Sequence, residues 1–483
     1  MNRKLVFNYL GRICASVGAL MIVPIICALC YREYGCLIVF CATALLSLGI
    51  GWLLTRFCKP SNDLLYAKEG FAIVALAWVF MSLLGALPFF VTGEIPNYID
   101  AFFETVSGFT TTGASIIENV ETMSKSLLMW RSFTHWVGGM GVLVFIMAIL
   151  PGLPERSVHV MKAEMPGPMF GKIVPRARDT AKILYIIYIA MTLILTVFLL
   201  FGGMSLYESL IHAFGTAGTG GFSCNADSVL GYSPYIQWVI TIFMILFGVN
   251  FYLYYYFLIK RSFTAFKSTE FVAYLGIVIA SAAAICVNIV SKFDSISEAA
   301  RHSSFAVASI ISTTGFATVD YDLWPEFSKT ILLILMFIGG CAGSTGGGLK
   351  VSRIVLLFKM IFSEIRHMLH PRAITAVRLD GKTVDKSTLH SVSTYFALFV
   401  VCYTAIFAAL TLIEPSFDFL TNFSAVAACI NNVGPGFNKV GPTGNFSIYN
   451  DFSTLILSLT MLLGRLEIFP LLLTFMPGTW KKQ

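Results

Sequence analysis

Apolar residues along this chain come in long blocks separated by short polar connections. Two leading blocks, near 8–30 and 36–57, predict helices. Four pairs follow, near 70–92 and 127–150, 180–203 and 234–260, 270–292 and 329–358, and 391–413 and 452–477. Blocks of about twenty residues match the length a helix needs to cross a hydrocarbon core of about 30 Å. Between the members of each pair lies a shorter apolar element that ends in glycine. It is too short to span, so it predicts a re-entrant segment.

This layout repeats along the chain. The four glycine-bearing ends read SGFTTTGAS (Ser107–Ser115), TAGTGGFS (Thr216–Ser223), STTGFAT (Ser312–Thr318) and NNVGPGF (Asn431–Phe437), with Gly113, Gly220, Gly315 and Gly434 as expected centres. Those centres are 107, 95 and 119 residues apart, which fits one helix–loop–helix unit used four times. The expected architecture is an all-α membrane protein with two leading helices (1–66) and four repeats (67–155, 156–265, 266–365 and 366–483). Each repeat starts from a basic connection and reaches its glycine near an acidic one. The repeats therefore share one orientation and predict rotation about an axis along the membrane normal.

Composition agrees with this reading. Hydrophobic residues make up 57% of 483 positions and charged ones 12%, far from the soluble average of roughly a quarter charged. Mean hydropathy is +0.79. The N-terminal basic residues before the first apolar block resemble a secretory leader, but no small-residue cleavage site separates that block from the next, so both predict retained helices. The net charge of +7 is explained by its distribution rather than by nucleic acid. Basic clusters occupy the N-terminus, Arg56–Lys68, Arg156–Lys182, Lys260–Lys267, Lys350–Lys386 and Lys481–Lys482. Acidic residues lie between them: Glu94, Asp100, Glu118, Glu121, Asp320, Asp322, Glu326, Glu414 and Asp418. Basic loops concentrate on the cytoplasmic side, so both termini, the proline-rich connection 151–179 and the stretch 363–388 are expected there. The 11 cysteines form no CxxC pair and predict small buried side chains.

Irregular backbone inside a bilayer survives only when buried in protein or lining a watery cavity. Four parallel loops about one axis would make such a cavity, and glycine lets successive carbonyls turn toward it. Carbonyl rings can replace the water around a dehydrated K⁺. The expected K⁺ ligand set is Thr110, Thr111, Thr112 and Gly113; Gly218, Thr219 and Gly220; Thr313, Thr314 and Gly315; and Asn432, Val433 and Gly434. Threonine hydroxyls are expected to add oxygen ligands. None of these positions bears a carboxylate, which disfavours a hard divalent ion. The short helices would aim their negative C-terminal ends at a central cation.

Three features remain open on the residues alone. The run Gly339–Gly348 interrupts an apolar block, and each glycine costs a helix roughly 1 kcal/mol against alanine; it predicts either a kink or a functional loop. Arg465 lies in the last apolar block, where an arginine needs a partner or a cavity. Either Glu467 or backbone carbonyls could serve, although a spacing of two residues sets Arg465 and Glu467 apart on a helix. Lys350 and Arg353 are expected to snorkel to the cytoplasmic interface. Arg131 and His135 are expected at an interface or satisfied by neighbours. Asn250 is expected to hydrogen-bond within a helix, beside lipid-facing aromatics from Phe251 to Phe257.

The four loops, AEMPGP (Ala163–Pro168), GGCAGSTGGGLK (Gly339–Lys350) and LGRLEIF (Leu463–Phe469) together resemble the Trk/Ktr/HKT superfamily of potassium transporters. The two leading helices are most similar to its bacterial Trk branch. The resemblance spans nearly the whole chain. It implies a bacterial inner-membrane location and K⁺ selectivity from glycine at each centre. It also implies an intramembrane gate formed by Gly343, Ser344, Thr345, Gly346, Gly347 and Gly348, with Arg465 facing the pore as a barrier. A gating role for Lys350 and Arg353 stays open. The expected partners are a second copy in a homodimer and cytosolic nucleotide-binding regulatory subunits with Rossmann-type domains. The second and fourth loops depart from the pattern, as Gly-Thr-Gly-Gly and Asn-Asn-Val-Gly.

A secondary transporter coupling K⁺ or Na⁺ to another gradient is the alternative, but it would usually place varied polar side chains at a midplane site. An enzyme is not expected. The histidines at 135, 159, 212, 302, 367, 370 and 390 show no HExxH spacing, and no GxxxxGK[ST] occurs for nucleotide. No organic cofactor is expected.

Overall fold

The computed structural model describes residues 1–60, 66–141, 177–258, 261, 266–372 and 375–480. Among these, helices predominate. The first leading block forms α1 (Arg3–Leu20) and α2 (Ile22–Tyr31), and the second forms α3 (Tyr34–Phe57). Repeat one has α4 (Ala67–Val91), α5 (Tyr98–Phe109) and α6 (Lys125–Gly139). Repeat two has α7 (Ala177–Phe201), α8 (Leu206–Gly218), α9 (Pro234–Phe247) and α10 (Phe251–Leu258). Repeat three has α11 (Thr269–Ile289), α12 (Ile296–Ile311), α13 (Glu326–Ile338) and α14 (Val351–Leu369). A two-stranded hairpin, β1 (Arg378–Leu379) with β2 (Lys382–Thr383), leads into repeat four. That repeat has α15 (Lys386–Ile413), α16 (Phe419–Ile430), α17 (Asp451–Arg465) and α18 (Phe469–Phe475).

Six of the described helices are long and apolar enough to cross a membrane, or eight if two bent pairs each count as one span. The outer helices turn large apolar side chains outward: Trp52 and Phe57 on α3, Phe201 on α7 and Leu412 on α15 are exposed. Such a surface suits lipid, not water.

The helices α5, α8, α12 and α16 have 12, 13, 16 and 12 residues, only ~18–24 Å at 1.5 Å per residue. Each begins at a side-chain cap on its first-turn N–H groups: Asn97, Ser205, Ser295 and Asp418. Their C-terminal halves are buried apart from Phe214 and Ser304, in contrast to the outer helices.

Three expected helices differ in the structure. The block 234–260 is not continuous, because α9 and α10 meet at 91° across Gly248–Asn250. The block 452–477 bends by 119° between α17 and α18, where Glu467 and Ile468 both have positive φ. The block 329–358 splits into α13 and α14 around the glycine run, and α14 continues to Leu369, well into the expected connection at 363–388. The end of the 127–150 block, AEMPGP and most of 151–179 lie outside the described residues, as do Lys481 and Lys482.

Candidate functional site

The four short helices end in the same backbone motif. In α5 the Thr111 N–H donates to the Gly108 carbonyl and the Thr112 N–H to the Ser107 carbonyl, at 3.1 and 2.9 Å. Thr219 and Gly220 make the corresponding bonds to Thr216 and Gly215. Thr313 and Thr314 make them to Ile310 and Ser309, and Asn432 and Val433 to Cys429 and Ala428. This is the Schellman ending, which places one residue in the left-handed region. Here those residues are Thr111, Thr219, Thr313 and Asn432, with φ from 54° to 59°. A β-branched residue at positive φ costs on the order of 1–3 kcal/mol, so three threonines there point to work for their side chains.

Two residues later comes a glycine, also at positive φ: Gly113, Gly221, Gly315 and Gly434. This corrects the register of the second loop. Its structural centre is Gly221, and Gly220 occupies the place of Thr112, Thr314 and Val433. Adjacent glycines left the sequence spacing ambiguous by one residue; the Gly-Phe pair shared by Gly221-Phe222 and Gly315-Phe316 is the signal that resolves it.

The loops close on one another in cyclic order. A Cβ on Gly113 would lie under 3.0 Å from the Gly220 carbonyl oxygen, one on Gly221 from that of Thr314, one on Gly315 from that of Val433, and one on Gly434 from that of Thr112. Among the described residues, none of the carbonyls of Thr111, Thr112, Thr219, Gly220, Thr313, Thr314, Asn432 and Val433 accepts a hydrogen bond, although all eight residues are buried. Buried carbonyls are nearly always paired. A ring of unpaired ones is suited to a cation.

The threonine hydroxyls, expected to add oxygen ligands, also have partners within the protein. Thr110 bonds to Val106 and Thr112, Thr314 to Ser312, and Thr219 to the Gly218 carbonyl. The Thr112 hydroxyl also accepts from the Asn432 amide at 2.9 Å. Thr111 accepts from Arg465 at 3.2 Å, and Thr313 accepts from the Gly347 N–H at 2.6 Å.

The Thr313 bond joins the third loop directly to the glycine run, and the Thr111 bond joins the first loop to it through Arg465. Gly339 through Lys350 is non-helical and passes directly beneath the third and fourth loops: Cβ atoms on Gly346 and Gly347 would meet the Ser312 and Asn431 carbonyls. Arg465 donates to the Thr345 carbonyl at 3.0 Å, to the Gly139 carbonyl at 2.8 Å and to the Gly138 carbonyl. Gly343, Ser344, Gly346, Gly347, Gly348, Lys350, Asn432 and Arg465 line one small cavity there. Thr345, within the same run, is buried and donates to the Phe247 carbonyl at 3.2 Å.

Several expectations about charged residues change. Glu467 pairs with Arg353, not Arg465. Lys350 and Arg353 do not snorkel: both are buried, Lys350 donating to the Gly346 carbonyl and Arg353 lying 4.2 Å from the Tyr395 ring. A buried guanidinium needs a carboxylate, and only the bend between α17 and α18 brings Glu467 to it. Asn250 sits at the break before α10, its side chain accepting from the Tyr252 N–H at 2.9 Å, and Phe251 and Tyr255 are buried instead of facing lipid. His135 is wholly buried; its Nδ1 lies 2.8 Å from the Gly108 carbonyl and its ring backs Gly220. Arg131 is buried with Glu104, a carboxylate that sequence reasoning passed over. A second acidic residue one turn beyond Asp100, deeper in the apolar short helix, was the available signal.

A family model described as a cation transport protein, TrkH, matches residues 38–482. The chain is 36% identical over 491 residues to the Trk system potassium uptake protein TrkH of Salmonella typhimurium, covering 100% of both chains. It is 34% identical over 472 residues to the Trk system potassium uptake protein TrkG of Escherichia coli, covering 95% of each. The crystal structure of the potassium transporter TrkH from Vibrio parahaemolyticus superposes with a TM-score of 0.88 at 32% identity, covering 100% of both chains.

Proposed function

This chain belongs to the TrkH family of cation transport proteins, a family of transporters and not of enzymes, and from that membership we propose that it takes up K⁺ across the bacterial inner membrane through a channel-like pore. The observation that carries the proposal is the closed cycle of buried, unpaired loop carbonyls. Neutral oxygens without a carboxylate favour a large monovalent ion over a divalent one. Four helix C-termini directed at the same point add negative potential there.

In this reading Thr111, Thr112 and Gly113, Thr219, Gly220 and Gly221, Thr313, Thr314 and Gly315, and Asn432, Val433 and Gly434 form the selectivity filter. Thr110 and Gly218 cap the helices behind it. The segment Gly343–Gly348 is the gate, and Arg465 is a positive barrier bonded to both filter and gate. The two leading helices and four tandem units share one orientation, with both termini cytoplasmic. Control of the gate comes from a cytosolic nucleotide-binding partner with Rossmann-type domains, seated on the basic inner surface that includes Lys359 and Arg366 of α14, and the chain works as a homodimer.

The test is rubidium or potassium uptake into proteoliposomes holding the purified chain, with reversal potentials in mixed K⁺ and Na⁺. K⁺-selective uptake without any second ion gradient is expected. Uptake that requires an opposing H⁺ or Na⁺ gradient would replace the channel-like reading with coupled transport. In the same assay Gly113→Ser should lower K⁺ over Na⁺ discrimination, since its Cβ would strike the Gly220 carbonyl. An unchanged ratio in a folded variant would remove Gly113 from the filter.

A further inference from the structure

The boundaries between successive loops are closed by different chemistry. At the third–fourth boundary the Tyr321 hydroxyl donates to the Gly436 carbonyl at 3.1 Å. At the fourth–first boundary the Phe446 N–H donates to the Ser115 carbonyl at 2.9 Å. At the second–third boundary Ala317 bonds to Val229 and to the Ser228 hydroxyl at 3.0 and 3.1 Å. The first–second boundary is closed by an ion pair.

There Glu104 of α5 meets Arg131 of α6, with Nε 2.5 Å from Oε1 and side-chain exposures of 0% and 4%. The carboxylate also accepts from the Ile116 N–H at 2.9 Å and the Ser115 hydroxyl at 3.1 Å. The guanidinium donates to the Ser223 carbonyl at 3.1 Å and the Ser115 hydroxyl at 3.0 Å, and lies 3.4 Å from the Phe222 ring centre. Ser115 and Ser223 each stand two residues beyond a loop glycine, Gly113 and Gly221. The pair therefore ties equivalent points of two adjoining loops. The positions equivalent to Glu104 in the other repeats are His212, Ala306 and Ala425, so the brace belongs to this boundary alone.

A buried ion pair is a poor device for stability, because desolvation offsets most of the attraction and apolar replacements of similar volume are often as stable. What it supplies is direction: two carboxylate oxygens and a planar fork fix several bond vectors at once. We infer that Glu104 and Arg131 are positioning residues that set K⁺ over Na⁺ discrimination by fixing the spacing of the first and second loops. The inference rests on the filter reading above. Neither residue needs to touch the ion; the pair acts through the loop segments carrying Ser115 and Ser223.

The experiment measures K⁺/Na⁺ permeability ratios, and K⁺ flux per inserted molecule, for the full chain in liposomes. Glu104→Gln should lower the ratio about tenfold, the equivalent of one charge-assisted hydrogen bond. Arg131→Lys should lower it less, because it keeps the charge and loses the fork, and Glu104→Asp should recover part of the loss. Ser115→Ala removes the shared hydroxyl without exposing a charge and should also lower the ratio. A merely structural pair would change the amount of inserted protein and leave the ratio alone. A ratio unchanged in folded Glu104→Gln overturns the inference; where that variant does not fold, an unchanged ratio in Ser115→Ala does so. Gly113→Ser runs in parallel. If it lowers the ratio while the brace variants do not, only this inference fails, and if it too has no effect, the filter reading fails with it.

Discussion

Two glycine-rich regions meet at the centre of this molecule, and they are held in opposite ways. The four loop ends are held by backbone: the same two hydrogen bonds recur four times, and each glycine lies against the carbonyl of the next loop. The run from Gly339 to Gly348 is anchored by bonds that occur once each: side chains of Thr313, Arg465, Lys350, Thr345 and Glu270, and backbone bonds from Cys341 to Gly248 and from Phe251 to Gly343. Backbone bonds repeated around a ring resist motion of any one member. Bonds that occur once can be exchanged one at a time. The first arrangement suits a rigid ion site and the second a switch, although both are rich in the same residue.

The largest expected effect breaks the second region and leaves the first intact. Removing Gly343–Gly348 should raise partner-free K⁺ flux by on the order of tenfold or more, because the obstruction shortens while the Schellman endings remain. Rubidium uptake per inserted molecule measures it, and background flux in an inserted protein would end the gate assignment.

Arg465→Ala comes next. Two unit charges 4 Å apart interact by about 4 kcal/mol at an effective dielectric near 20, an upper guide in a watered pore. Flux should rise several-fold by this electrostatic route, and Arg465→Lys should keep much of the barrier. Reduced thermal stability with no rise in normalised flux would make Arg465 a structural residue.

A finer test cuts one bond between the regions. Thr313→Val keeps the β-branched shape at the left-handed position but cannot accept from the Gly347 N–H. One hydrogen bond of about 1 kcal/mol corresponds to roughly a fivefold rise in basal flux. The K⁺/Na⁺ ratio should hold. A changed ratio with unchanged flux would mean that this bond serves the filter instead, and the contrast between the regions would collapse.

The smallest effect concerns the outer surface. Burial, with Asp320 nearby, raises the Asp322 carboxyl to about 6; its side chain abuts Gly441, which lines the outer cavity of the loops. A raised carboxyl is protonated as pH falls through about 6, so the mouth loses negative charge there. K⁺ flux at limiting K⁺ should fall modestly, by less than about twofold, over that range and less so at high salt. Asp322→Asn should flatten the profile between external pH 7 and 5 if this carboxyl is its source. The stability contribution runs the opposite way: a raised folded value favours the protonated fold, an advantage present below the ordinary carboxylate value of 3.8 and lost as pH rises through about 6.

Much of this was readable from the chain alone. Apolar block lengths located the candidate spans, and the recurrence of Thr/Ser-Gly ends located the four loops, because both depend on local composition at a fixed spacing. The glycine run showed itself as a break for the same reason: no helix tolerates so many glycines. The register of the second loop did not show itself, since Gly220 and Gly221 are interchangeable until a φ angle and a neighbouring carbonyl distinguish them. The breaks after Phe247 and Arg465 carry too little glycine or proline to announce themselves, and packing against other repeats decides them.

Pairing was the other thing left to tertiary structure. By itself the sequence determined that Arg465 and Glu467 lie within an apolar block; the burial of Lys350, Arg353, Arg131 and Glu104 came only with the assembled helices. The sequence could not say which charge meets which. Glu467 is two residues from Arg465 and 114 from Arg353, yet the bend beyond α17 gives it to Arg353. Among the described residues Arg465 donates to the carbonyls of Gly138, Gly139 and Thr345 and to the Thr111 hydroxyl 354 residues away. Local composition fixes what must be satisfied, because burying a charge is costly anywhere in the chain. Only the assembled helices decide what satisfies it, because the partners are brought together by the closure of four separate repeats.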